Sequence, residues 1–333
     1  MTGGESPFIE LGERYLRFAE HEAKGVSPLY EELARGVAGS EPLLRFISAL
    51  PEAKQQPNLV FAAVRHLHGT PEDAGHLARL VEQDPEPVRR LVLARSTQTN
   101  EPGRCAVLLP VLARLPQPLA LLEAGASAGL CLLPERYAYD YGRARLAPVA
   151  PGEHLPPVFP CRAEGATPIP ERMPEIAWRA GIDLNPLDLS DPAEAAWLET
   201  LVWPGQDARA ARLRAAMRIA AEAPPSVSRG DLLADLPALA ATAPPDATLV
   251  IFHSAVLAYV ASETRTRFAG VVKELGAVWI SNEFPRVLPA VAAKLDRAPP
   301  EDRFLLAVDG EPVAFTGPHG QSIEWIATPG ASG

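Results

Sequence analysis

Up to about Leu115 the apolar positions of the chain recur at helical spacing. In PFIELGERYLRFAEHEA, Phe8, Leu11, Tyr15, Phe18 and Ala19 fall on one stripe with charges between them, which predicts an amphipathic helix. SPLYEELARGVA opens with Ser27 as a hydroxyl cap and Pro28 at the first helical position. EPLLRFISAL, PNLVFAAVRHL, PEDAGHLARLVEQ and PEPVRRLVLAR repeat the pattern, with proline or glycine at each junction. No alternating apolar run interrupts them, so residues 1–115 are expected to form a helical N-terminal domain.

The pattern changes at Pro118. PLALLEAG is a short apolar run ending in a glycine turn, the mark of a buried parallel strand that leads into a helix. Further strands are expected to end at Asp183, at Gly230-Asp231, at His253 in ATLVIFHS and at Glu283 in AVWISNEFP. Helical stretches separate them: DPAEAAWLETLVW through ARAARLRAAMRIAAEA, broken near Pro204, and SETRTRFAGVVKELG, capped by Ser262. Asp188 and Asp191 in LDLSDP suit helix capping. A proline- and glycine-rich insertion is expected at about 137–176. FLLAVDGEPVAFTG predicts a hairpin around Asp309-Gly310. Strands alternating with helices imply an α/β class: residues 116–333 form a Rossmann-like, mostly parallel sheet with a C-terminal antiparallel hairpin. Such sheets bind ligands beyond the carboxyl ends of their strands, which singles out the residues that end them.

Composition narrows the classes of function. The 333 residues carry a net charge of −10, with 47% hydrophobic and 22% charged residues, an ordinary balance for a globular protein. The negative charge argues against nucleic-acid binding, which needs many phosphate contacts from lysine and arginine. Cys105, Cys131 and Cys161 lack metal-type spacing and suit a reducing cytoplasm. His66 and His68 in RHLHG have no third ligand at suitable spacing, so no metal site is expected. The N-terminus has neither the basic nor the apolar region of a signal peptide, and no apolar run reaches membrane-spanning length.

The segment LLEAGASAGLCLL, Leu121 to Leu133, supports two kinds of chemistry. Gly125-Ala126-Ser127-Ala128-Gly129 spells G-x-S-x-G, the nucleophile elbow of serine hydrolases. That elbow needs sheet strands before it, and the preceding sequence is helical. The same segment is an apolar strand ending in Glu123, followed by Gly125, Ser127 and Gly129. It resembles the first motif of class I S-adenosylmethionine-dependent methyltransferases, with Ser127 where the middle glycine usually stands. That resemblance covers Pro118 to Ile326 by order of elements. It implies cofactor binding by Glu123, Gly125, Ser127, Gly129, Asp183 and Asp231, with Asp183 on the ribose hydroxyls and Asp231 beside the adenine. It also implies that FHSAVLAY lies near the transferred methyl group.

The words QPNLVFAAV, TQTNEPGR, GASAGLCLL, YDYG, GIDLNPLD, LVWP and FHSAVLAY run in order over nearly the whole chain. By them the chain resembles an uncharacterised bacterial family, domain of unknown function 2332, which carries no activity over with it. TQTNEPGR is a dense polar run between apolar helical stretches, and it is expected to give the cleft a substrate wall from the helical domain. Gln98, Asn100, Arg104 and Ser254 are the candidate substrate contacts. His253 and Glu101 are the candidate proton acceptors, since methyl transfer needs alignment of the acceptor and removal of a proton. The expected function is methyl transfer from S-adenosylmethionine to a small molecule. A non-catalytic binding or interaction protein of the same fold and a serine hydrolase using Ser127 are the alternatives.

Overall fold

The computed structural model describes residues 7–149 and 152–326. The chain divides into two compact units, Met1–Thr99 with Asp191–Ala211, and Asn100–Ser190 with Arg212–Gly333. Among the described residues, six α-helices lie before Thr99: α1 (Pro7–Phe18), α2 (Pro28–Ala38), α3 (Glu41–Ser48), α4 (Pro57–His68), α5 (Ala74–Gln83) and α6 (Pro85–Ala94). The next, α7 (Cys105–Leu112), starts the second unit. Then α8 (Pro192–Thr200) returns the chain to the first, and α9 (Asp207–Glu222) carries it back. The units are not divided at residue 115: NEPGR, from Asn100, and α7 belong to the second unit, and the stretch around Trp197 belongs to the first.

In the first unit the helix starts follow capping chemistry. Ser27 Oγ accepts from Tyr30 N at 3.4 Å, Asp73 Oδ1 from His76 N at 2.6 Å and Asp191 Oδ1 from Ala193 N at 2.8 Å. The stripes meet in one core that holds Tyr15, Tyr30, Phe61 and Trp197. Phe61 meets the rings of Tyr15 and Tyr30 edge-on at 5.9 and 5.1 Å. Burying each such side chain contributes about 1.5–3 kcal/mol, which is what binds the α8 segment to α1–α6 across a long gap in sequence. The Trp197 indole N–H, which only donates, finds Ser96 O at 3.1 Å.

The second unit is built on β1 (Leu119–Ala124), β2 (Ala138–Asp140), β3 (Arg145–Leu146), β4 (Val158–Pro160), β5 (Arg162–Glu164), β6 (Ile176–Asp183), β7 (Ser226–Arg229), β8 (Thr248–Ser254), β9 (Val278–Glu283), β10 (Phe304–Val308), β11 (Glu311–Thr316) and β12 (Ser322–Trp325). Its large sheet runs β7-β6-β1-β8-β9-β10-β11-β12-β5. β7, β6, β1, β8 and β9 are parallel, and β10 to β12 continue as an antiparallel meander. β1 lies in the middle of the parallel set with every residue buried, which is why LALLEA reads as a continuous apolar run. Asp309 and Gly310 take φ of 51° and 76° in the β10–β11 turn, the backbone that an Asp-Gly hairpin requires. β12 adds a third strand to the expected hairpin. The insertion makes the small sheet β3-β2-β4, while β5, two residues after β4, joins the edge of the large sheet. α10 (Leu236–Ala240) precedes β8 and α11 (Ser262–Glu274) follows it, and Ser262 is the first residue of α11 rather than its cap, which falls on Ala261.

From β1 the chain fills β6 and β7 on one side, then crosses back to β8 and β9 on the other. The reversal puts a topological switch point between the carboxyl ends of β1 and β8. Parallel register fixes which side chains share a face. Leu122 stands beside Ala180 and Ile251 and packs with Phe268 of α11 (Ser262–Glu274), while Glu123 stands beside Gly181 and Phe252 and points the other way.

Candidate functional site

The loop after β1 is held by named hydrogen bonds. Gly125 N and Ala126 N donate to Ile182 O at 2.8 and 3.2 Å. Ser127 N donates to Asp183 Oδ2 at 2.8 Å, while Asp183 Oδ1 takes Asn185 N at 2.7 Å. Asn100 clamps the far side: its Nδ2 donates to Ala126 O at 3.1 Å and its Oδ1 accepts from Leu130 N at 2.9 Å. Gly125, Ser127 and Gly129 all have positive φ, 74°, 51° and 71°. A Cβ on Gly125 would lie 2.5 Å from Val256 Cγ2, and one on Gly129 would lie 2.7 Å from Pro225 Cγ. Both glycines are therefore required by packing inside the unit.

The segment that follows differs from the sequence reading. Leu130–Leu132 and Pro134–Arg136 form two single 3₁₀ turns, not the α-helix expected after a cofactor loop. Pro134 has no N–H and its ring would meet the carbonyl four residues back, so a helix started at Leu130 stops there. The chain then feeds directly into β2.

Glu123, one residue before the end of β1, has 4% of its surface exposed, and its Oε2 is buried without a hydrogen-bond partner. Burial pushes its carboxyl well above the ordinary range. The neighbouring Cys131 and Asp183 push the same way and Arg104 opposes them. Ser127 Oγ is likewise buried without a partner. Cys131 Sγ donates to Glu101 O at 3.3 Å, and Cys105 Sγ to Cys131 O at 3.5 Å.

The NEPGR turn, Asn100–Arg104, ties three strand ends together from within the second unit. Arg104 Nε donates to Pro318 O at 2.9 Å and its Nη1 to Ser254 O at 2.9 Å, with the guanidinium 5.8 Å from the Phe304 ring centre. Glu101 Oε1 accepts from Gly103 N at 3.1 Å, and its Oε2 lies 3.9 Å from His319 Nδ1. A Cβ on Gly320 would stand 2.0 Å from Gly103 O, so the two loops meet backbone to backbone. Ser254 Oγ accepts from Asn282 Nδ2 at 2.9 Å, and Asn282 Oδ1 accepts from Thr316 Oγ1 at 2.7 Å.

His253 lies on the opposite face of the sheet, because successive strand residues alternate. Its ring is fully buried among Phe268 and Trp279. Trp279 Nε1 donates to His253 Nε2 at 3.1 Å, so that nitrogen carries no proton, and Nδ1 faces Glu283 Oε1 at 2.8 Å. The same oxygen accepts from Val256 N and Leu257 N at 2.8 and 2.9 Å. Burial pushes the Glu283 carboxyl up, but the hydrogen bonds from His253 and the two amides outweigh it and hold the group below its ordinary value. With both nitrogens engaged, His253 is a positioning group for the chain at Val256–Leu257. His253, expected as a proton acceptor, and Ser254, expected as a substrate contact, therefore stand on opposite faces of the sheet.

The other expected residues separate similarly. Asp231 is exposed and caps a turn, its Oδ1 accepting from Leu233 N at 2.8 Å and Ala234 N at 3.0 Å. Gln98 falls in the first unit. Glu123, Asp183, Asn100, Glu101, Arg104 and Ser254 come together on one face with the Gly125–Gly129 loop. Sequence reasoning missed Asn282, whose signal was a polar residue two after the apolar run of β9 and next to the strand-end Glu283. It also missed Leu184 and Tyr259, large apolar side chains 64% and 83% exposed just beyond β6 and β8.

Among the described residues, no group of three or more His, Cys, Asp or Glu could hold a metal ion, and no helix is long and apolar enough to cross a membrane. The fold and this polar cluster define a mixed α/β protein with a carboxylate-lined switch point. The chain belongs to the family described as "Uncharacterized protein conserved in bacteria (DUF2332)", whose model matches residues 12–325. No curated protein and no solved structure matches it.

Proposed function

We propose that the second unit is a methyltransferase-type domain that binds S-adenosylmethionine at the carboxyl ends of β1 and β6 and directs its methyl group to a small-molecule acceptor. The observation that carries this reading is the pair of carboxyl groups, Glu123 and Asp183, at the carboxyl ends of neighbouring parallel strands on one face beside the Gly125–Gly129 loop. Asp183 accepts a backbone amide on each oxygen, which fixes its carboxylate at the strand end, and a carboxylate is the group suited to the two hydroxyls of a ribose. The unpartnered Glu123 Oε2 and Ser127 Oγ fit a polar ligand that carries positive charge. Gly125 and Gly129 add nothing, since packing alone explains them.

The cofactor, when bound, supplies an electrophilic methyl carbon. The protein's part is alignment and proton removal. Asn100 and Asp183 fix the loop, Arg104 fixes the end of β8, and Glu101 is the carboxylate on this face assigned to take the acceptor's proton. The net charge of −10 supports a small-molecule acceptor over a nucleic acid, and the free thiols of Cys105, Cys131 and Cys161 support a cytoplasmic setting.

Two observations favour a second reading, a ligand-binding protein without chemistry. His253, at the end of β8, has both nitrogens engaged, and among the described residues 3₁₀ turns rather than an α-helix follow the loop. A serine hydrolase draws little support, because Ser127 Oγ meets no histidine. Thermal unfolding with S-adenosylmethionine, S-adenosylhomocysteine and a panel of other nucleotides separates these readings. Stabilisation by the first two alone is expected, followed by methyl incorporation into an acceptor from a metabolite extract.

A further inference from the structure

Glu123 is a buried acid without compensation. No ion pair reaches it among the described residues, and Oε2 has no hydrogen-bond donor. The groups that face it come from four places, one of them the buried phenol of Tyr137 just before β2, whose hydroxyl donates to Leu130 O at 2.8 Å. β6 brings Asp183, a second negative charge. The turn after the loop brings the Cys131 thiol. The turn before α7 brings Arg104, a cation whose guanidinium is spent on the carbonyls of Pro318 and Ser254. An ionised carboxylate there gives up its hydration for one indirect attraction against one repulsion, so the neutral form wins. The raised pKa of the group agrees with that balance. Four residues on, Ser127 Oγ is 5% exposed and equally without a partner. Two unpartnered polar atoms, one near the end of β1 and one in the middle of the loop that follows, leave hydrogen-bonding positions for a polar ligand.

We propose that Glu123 is a neutral acid in the free protein and releases its proton to solvent when a cationic ligand group binds beside it and Ser127, so that the site selects cations and holds them more tightly as pH rises. The inference rests on the reading of this site as one for S-adenosylmethionine, whose sulfonium and ammonium groups supply the positive charge. The charge balance is complete: the ligand brings one positive charge, the carboxyl loses one proton, and the buried region stays neutral. Because the proton leaves on binding, affinity rises by up to about tenfold per pH unit below the pKa of the free protein's Glu123.

The test is calorimetric titration with S-adenosylmethionine in two buffers of different ionisation enthalpy, repeated between about pH 6 and 8. The expected result is release of about one proton per ligand by the wild type, with affinity rising with pH, and a flat profile with no release for Glu123→Gln. Binding without proton release overturns the inference and leaves the cofactor reading standing. No binding at all overturns both. The wild-type proton count decides the matter even where the variant does not fold.

Discussion

Asp183 Oδ2 accepts a hydrogen bond from Ser127 N at 2.8 Å, and through it the end of β6 fixes the loop that follows β1. Ser127 has φ of 51°, a region costing roughly 1–2 kcal/mol for a residue with a Cβ, so the bond offsets a conformational cost. Asp183→Ala should release it. We predict faster hydrogen exchange at the Ser127 amide in the variant, with the core amides of β1 unchanged. Equal protection at Ser127 would show that Asn100 alone holds the loop.

Gly125 is explained by Val256 and by its own φ of 74°. Gly125→Ala should destabilise the protein by about 2–4 kcal/mol, from backbone strain plus overpacking. Val256→Ala in the same chain removes the clash but not the strain, so the double variant should recover part of the loss. Denaturant midpoints of the four proteins measure the coupling. Additive losses would mean that Val256 does not set this position.

Asn100 serves both sides of the loop with one amide. Asn100→Ala leaves Ala126 O and Leu130 N buried without that partner, at a cost of about 1–3 kcal/mol for each group left unsatisfied. A thermal shift of a few degrees downward is expected. An unchanged midpoint would mean that water replaces the amide.

Glu283 holds the His253 ring and two amides at the end of β8. Its carboxyl lies below the ordinary value, so its contribution is present above the unfolded value of about 4.3 and disappears as pH falls through the lower native one. Glu283→Gln should cost about 1.5–3 kcal/mol near neutral pH and progressively less in acid. Urea midpoints of both proteins across that range supply the check. A difference that does not shrink in acid would contradict the ionised assignment.

Much of this molecule can be read from its letters. Tyr15, Phe18 and Ala19 keep helical spacing because one stripe is buried, and LALLEA is apolar throughout because β1 has neighbours on both edges. Asp309-Gly310 marks its turn directly, since few other pairs tolerate two positive φ values. The division into units is not legible, because Trp197 joins the first core through packing that no local pattern encodes. The missing helix after Gly129 was signalled by Pro134, whose effect was outweighed by the glycine pattern before it. For the site, the strand ends Glu123 and Asp183 were legible as a pair. His253 and Ser254 were not, although the two-residue period of a strand already sends adjacent side chains to opposite faces. Asp231 illustrates a different limit: capping and ligand binding ask for the same residue type, and only the positions of Leu233 N and Ala234 N distinguish them.

The central claim is that Asp183 and Glu123 frame a site for S-adenosylmethionine, and calorimetric titration of the wild type against Asp183→Asn tests it most directly. Asparagine keeps the shape of the side chain but removes its charge and half its acceptor capacity. Loss of one charge-assisted hydrogen bond to the ligand costs about 1.5–3 kcal/mol, roughly a ten- to hundred-fold weakening. The account predicts saturable binding by the wild type and that weakening in the variant, with a lower unfolding midpoint for the variant, since asparagine can accept only one of the two backbone amides that Asp183 holds. Equal affinities would remove Asp183 from the site, and absence of binding by the wild type would contradict the claim itself.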